Sequence, residues 1–175
     1  HLSIRRQRQM CIRDRDIPSS GGKAIHLVAT SDIADLSVFG IGVAVNGGGS
    51  DGQDISLDSI FVNAGDDILL ANKPDSMSSY FGDCIGDFEH VIDISLSING
   101  DDALELFESG SLIETFGDIN VDGTGEVWEY SDSWAYKVEG EWTYGGVNCS
   151  DNSETTITSG LSLIHISEPT RRRGI

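Results

Sequence analysis

Short apolar or alternating runs, each cut off by a cluster of Gly, Asn, Asp and Ser, follow one another along the middle of this chain. Runs of that length between turn-formers suit strands and are too short for ordinary helices. "KAIHLVAT" (23–30) and "LSVFGIGVAV" (36–45) are two such runs, joined by the polar "SDIAD". "NGGGSDGQD" (46–54) reads as a loop, "DDILLAN" (66–72) as a compact buried strand, and "FEHVIDI" (88–94) as a strand beside it. "DALELFESGSLIETFG" (102–117) is the clearest hairpin, with "ESGS" as its turn. Only "PDSMSSYFG" (74–82) reads as helix, because Pro74 suits a first turn and Gly82 a C-terminal cap. Seven or more strands at this spacing predict an all-β chain, a β-sandwich with one short helix near residues 74–82.

The two ends have a different character. All eight Arg fall at positions 5, 6, 8, 13, 15, 171, 172 and 173. "MCIRD" (10–14) can be written ATG TGT ATA AGA GAC; the reverse complement of that string plus the next two bases, AG, reads in frame as "LSLIH" (161–165). One nucleotide string thus bounds the chain in opposite orientations, and it resembles the mosaic end of a transposase-based sequencing adapter. The flanking "RRQRQ" and "SEPTR" fit the same source. On this reading residues 1–15 and 161–175 are translated adapter, expected to be disordered, and residues 16–160 are one β-sandwich domain truncated at both ends. The natural termini, with any signal region, then lie outside the sequence.

With the ends set aside, the basic residues are Lys23, Lys73 and Lys137 against 27 acids, a net charge of −24, compared with −18 for all 175 residues. Such a surface repels phosphate backbones and anionic membranes, so nucleic-acid binding is not expected of this fragment alone. No stretch approaches the ~18 consecutive apolar residues of a membrane span, which argues against membrane insertion. Cys84 and Cys149 remain as one candidate disulfide across a long loop, a feature of oxidising, extracellular settings, or as two unrelated thiols.

"DINVDGTGEVWE" (118–129) satisfies the spacing of a twelve-residue calcium loop, with Asp118, Asn120 and Asp122 at its odd positions and Glu129 at its end. The flanks alternate like strands, so the segment is either a strand-flanked calcium site or an acidic loop built on Asx-type turns. Calcium is the only cofactor the sequence suggests. Three aromatic pairs follow: Trp128 with Tyr130, Trp134 with Tyr136, and Trp142 with Tyr144. Residues i and i+2 of a strand share a face, so each pair is either a platform for sugar rings or part of the core. "GGSDG" (48–52) matches the nucleophile-elbow pattern at Ser50, but strand-like residues follow where that motif needs a helix. His26 and His90 are the available general bases, and both read as strand wall or surface residues.

The order of "KAIHLVATSDIADLSVFGIGVAVNGGG", "ISLDSIFVNAGDDILLANKPDSMSSYFG" and "INGDDALELFESGSLIETFGDINVDGTGEVWEYSDSWAYK" resembles the lamin tail domain family, its bacterial secreted members above all. The counterparts are an early strand (23–40), a strand followed by a short helix (62–81), a "NGDDA" hairpin (99–117) and a "GTG..W" turn (123–128). Two departures stand out: the family's opening strand upstream of "SSGGKA" is missing, and "HLVAT" replaces the usual "ELYNPT". The resemblance implies an immunoglobulin-like sandwich. It also implies a non-catalytic module of extracellular or cell-surface proteins, some of which carry a nuclease or another hydrolase elsewhere. The expected function is therefore attachment, or an accessory role to neighbouring domains, with a polysaccharide or cell-surface partner. The alternatives are a carbohydrate-binding module using the paired Trp and Tyr, and a fragment of a secreted nuclease or other hydrolase.

Overall fold

The computed structural model describes residues 12–13, 22–138 and 140–151. These form strands β1 (Ile12–Arg13), β2 (Lys23–Val28), β3 (Phe39–Ala44), β4 (Ile55–Ser56) and β5 (Asp67–Asn72), then helix α1 (Pro74–Phe81). Strands β6 (His90–Asp93), β7 (Ala103–Glu108), β8 (Ser111–Phe116), β9 (Trp134–Val138) and β10 (Glu141–Tyr144) follow. One sheet runs β10-β9-β1-β2-β5-β6 and the other β4-β3-β7-β8. The architecture is all-β and sandwich-like, as the strand-and-turn pattern predicts, and among the described residues the one α-helix spans Pro74–Phe81.

Alternation along each strand decides which side chains meet between the sheets. Ile25 and Leu27 of β2, Ile68 and Leu70 of β5, and Ile92 of β6 face Ile41 of β3 and Leu104, Leu106 and Phe116 of β7 and β8, all in one buried cluster. Burying a large aliphatic side chain stabilises by about 1.5–3 kcal/mol, so this layer dominates the folding free energy. Phe116 is its aromatic hub. Its ring meets Trp128, Tyr130 and Trp142 edge-on at 6.0, 5.3 and 4.7 Å, and Tyr144 at 6.3 Å.

The β7–β8 hairpin closes through Ser109 and Gly110, with φ of 51° and 76°. Positive φ at both central residues is the hairpin turn whose twist matches the strands. β5 and β6, by contrast, pair in parallel, Ile68 opposite His90 through Ala71 opposite Asp93. Parallel neighbours need a long crossover. It is supplied by α1, entered at Pro74, and by the 3-10 turns of Gly82–Asp87. This crossover covers the outer face of the sheet, where Ala24, Leu69, Ala71 and Met77 form a second buried cluster flanked by Phe81, Ile85 and Phe88.

Disorder is expected of residues 1–15, yet Ile12 and Arg13 form β1, with Arg13 opposite Ala24 and Ile12 opposite Ala135. Strand pairing uses main-chain groups alone, so the facing edges of β2 and β9 accept any extended backbone. The pairing therefore carries no information about where those residues come from. Residues 1–11, 14–21 and 152–175, with the rest of the expectations for the two ends, lie outside the described residues. Residues 117–133 are a second departure: "WEY" continues no strand but sits in a succession of turns.

Phe116→Ala removes the hub and leaves four aromatic neighbours facing a void. Urea denaturation is expected to show a loss of about 3–5 kcal/mol, and a loss under about 1 kcal/mol would mean that the sheets close without it.

Candidate functional site

The carboxylates of Asp118, Asp122 and Glu129 accept hydrogen bonds from nearby residues of the same segment. The Asp118 carboxylate accepts the Asn120 N–H at 2.9 Å and the Asp122 carboxylate the Thr124 N–H at 2.9 Å, two successive Asx turns. Glu129 accepts the Gly125 N–H at 2.7 Å with one oxygen and the Ser131 hydroxyl at 3.0 Å with the other. Each carboxylate is thus engaged by the loop's own donors, and Asn120 enters through its backbone. Among the described residues no group of three or more His, Cys, Asp or Glu is arranged to hold a metal ion.

Behind this loop, Asp102 is 3% exposed and acts as a clamp. Its two oxygens accept the Asn46 N–H at 3.1 Å and the Asn99 N–H at 3.2 Å, joining the β3 exit to the β7 entrance. Burial, only partly offset by those two amides, holds the Asp102 carboxyl above its usual value of 3.8. Asp122 moves the other way, since the Thr124 amide favours its ionised form. The close packing leaves no room at Gly123, where a Cβ would stand 2.5 Å from the Trp128 ring and 2.6 Å from the Asp101 carbonyl.

Trp128, Tyr130, Trp134 and Tyr136 are 8%, 0%, 6% and 5% exposed, so these four side chains pack in the interior and do not present a surface for sugar rings. Tyr130 donates its hydroxyl to the Asp102 carbonyl at 3.0 Å, which satisfies its one polar atom inside the core. Trp134 and Tyr136 stack on one another at 5.0 Å. Trp142 and Tyr144 are half-buried and pack against the main core.

The disulfide is also absent. Cys84 and Cys149 are free thiols. Cys84 belongs to the crossover turns, whereas Cys149 lies 3.1 Å from the Ser133 hydroxyl in the turn after β10. Ser50 accepts the Gly52 N–H at 3.2 Å, and β4 rather than a helix follows, so no nucleophile elbow forms.

Two His–Asp pairs stand on consecutive carboxylates, an arrangement the sequence spacing did not reveal. His26 Nε2 lies 2.8 Å from Asp67 and His90 Nε2 3.0 Å from Asp66. Together they fasten β2 and β6 to the start of β5. Burial raises the Asp66 carboxyl, but the Asn63 amide and His90 outweigh it, and the net shift is downward. The His26 ring also meets Phe88 edge-on at 5.1 Å, inside the crossover layer. Between the sheets, Ile25, Leu27, Ile41, Leu104, Phe116 and Trp142 help line a cavity of about 10 Å³. That is room for about one water. The hairpin pattern locates β8 but not the exposure on it of Leu112 and Ile113, 49% and 39%.

Asp102→Ala would orphan two backbone donors, and the expected loss is about 2–4 kcal/mol in chemical denaturation. Because Asp122 is held below 3.8, its contribution to stability is complete above that value and disappears as pH falls through the lower folded value. Asp102 has the opposite sign: its contribution is complete below 3.8 and disappears as pH rises through the higher folded value. A carboxyl-resolved NMR titration should place the two on opposite sides of 3.8, and finding them on the same side would contradict the geometry. Calcium at about 10 mM, well above the affinities of extracellular modules, should move the melting temperature no more than magnesium does. No family model, curated protein or solved structure matches this chain.

Proposed function

We propose that this chain is a non-catalytic, lamin-tail-like sandwich of immunoglobulin type, part of a secreted or cell-surface protein, serving attachment rather than chemistry. The observation that carries this reading is the use to which the reactive side chains are put. His26 and His90 fasten strands through Asp67 and Asp66, and Asp102, Asp118, Asp122 and Glu129 hold backbone amides. A site for chemistry needs polar groups converging on a shared opening, and these diverge into separate structural bonds. The extracellular setting rests on the resemblance, since the two thiols are unpaired.

An attachment module needs a face to attach with. The outer strand β8 offers exposed Leu112 and Ile113, and Val38, 40% exposed, lies beside the hairpin through the Ser109 N–H bond to its carbonyl. An unpaired strand edge with apolar side chains is a template for association.

Labelled protein is expected to bind cell-surface preparations, and Leu112→Asp with Ile113→Asp should weaken binding at least ~10-fold, about 1.4 kcal/mol, without lowering the melting temperature. Retention equal to the wild type would refute the face. Hydrolysis of DNA or polysaccharide by the purified chain would refute the non-catalytic reading.

A further inference from the structure

Four steps of this chain put a glycine after an asparagine or an aspartate: Asn46–Gly47, Asp51–Gly52, Asn99–Gly100 and Asp122–Gly123. At such a step the glycine amide nitrogen can attack the side-chain carbonyl carbon before it, because the glycine has no Cβ to stand in the way. In an unfolded chain asparagine reacts faster than aspartate, so the sequence alone points to Asn46 and Asn99. The structure reverses that order.

Ring closure turns the peptide unit between the two residues, so it needs room around the glycine. Three of the glycines have none. A Cβ would stand 2.6 Å from the Asp122 amide nitrogen at Gly47, 2.4 Å from the Ser131 Cα at Gly100 and 2.5 Å from the Trp128 ring at Gly123. Hydrogen bonds hold the same steps. Asp102 accepts the N–H groups of Asn46 and Asn99, and the Gly100 carbonyl accepts the Tyr130 N–H at 2.7 Å. The Gly123 N–H, the group that would attack, donates to the Asp101 carbonyl at 2.9 Å. At Gly52 a Cβ would meet nothing within 4 Å, and Asp51 is exposed. The Gly52 N–H donates to the Ser50 hydroxyl at 3.2 Å, which rides in the same loop. The Gly52 carbonyl rests over Gly42 of β3, so the sheet holds this step from one side and leaves the other open.

We propose that Asp51 is a site of spontaneous isoaspartate formation in the folded protein. The Gly52 nitrogen bonds to Asp51 Cγ, a Cγ–O bond breaks and water leaves, giving a succinimide ring. Water then adds at the backbone carbonyl of that ring and breaks its bond to the Gly52 nitrogen. No atom is gained or lost overall, but the main chain now runs through the Asp51 side chain and is one carbon longer. The Gly49 N–H on the Ile119 carbonyl and the Val43 N–H on the Asp54 carboxylate anchor the loop on either side of this step. The added carbon falls between those anchors, so the fold is kept and the loop surface changes.

The test holds the whole folded chain in oxygen-18 water at neutral pH. Ring opening leaves a heavy oxygen at each residue that has reacted, which peptide mapping locates, and electron-based fragmentation identifies the isoaspartyl linkage. Asp51 should take up the label in the folded chain, whereas chain unfolded in urea should react first at Asn46 and Asn99. Asp51→Asn creates three Asn–Gly steps of the same chemistry. Position 51 should then deamidate at least ~10-fold faster than Asn46 and Asn99 in the folded variant, because sealed steps react only through local opening. A folded wild-type chain that reacts first at Asn46 or Asn99, or that takes up no label at Asp51, would overturn the proposal. Equal rates at the three positions of the folded variant would do the same.

Discussion

Everything in this molecule depends on the contact between two sheets whose inward side chains are aliphatic and whose closure is aromatic. Ile25, Leu27, Ile68 and Leu70 on one side meet Ile41, Leu104, Leu106 and Phe116 on the other, and every loop is placed by where those strands end. The acidic turns lie over the Phe116 end because Trp128 and Tyr130 must reach its ring. The crossover helix lies on the opposite side of the larger sheet because parallel pairing of β5 and β6 demands a long return. The second cluster, around Leu69 and Met77, follows from that return.

The strands were legible because burial imposes a period, and a period of two survives in sequence. "DILLAN", "ALELFE" and "SLIETF" lie inside the predicted runs, and Pro74 and Gly82 mark the helix and its C-cap as their chemistry requires. Positions of carboxylates in space were not legible. The residues 118–129 have calcium-loop spacing, but spacing says nothing of whether an oxygen turns to its own backbone first. In this loop Thr124 and Gly125 donate at short range and capture Asp122 and Glu129. The aromatic pairs were ambiguous for a related reason: a two-residue period shows that side chains share a face, not which face is covered. Glu105 was visible as an acid in an apolar strand, but its near-complete burial follows only from the fold.

The acidic composition takes on a structural meaning in this light. Three lysines cannot neutralise 27 acids in residues 16–160, so many of the carboxylates that are held find other donors. Backbone amides and histidine rings do much of that work, at Asp35, Asp54, Asp66, Asp67 and Asp102. Lys137 pairs with Glu114 across the sheets while its ammonium lies 5.1 Å from the Trp142 ring. Hydrogen bonds from amides to ionised carboxylates are stronger than neutral ones, and they shape the loops that contain them.

The topology also sets an order of assembly. The β7–β8 hairpin spans a two-residue turn and needs almost no chain closure, whereas β2 reaches β5 across the whole of β3 and β4. Entropy charges the distant pairing more heavily, so the hairpin forms early and the larger sheet late. During that interval the apolar inner face of β7 and β8 waits uncovered, and repulsion between polyanionic chains is what keeps neighbouring molecules apart until the second sheet arrives.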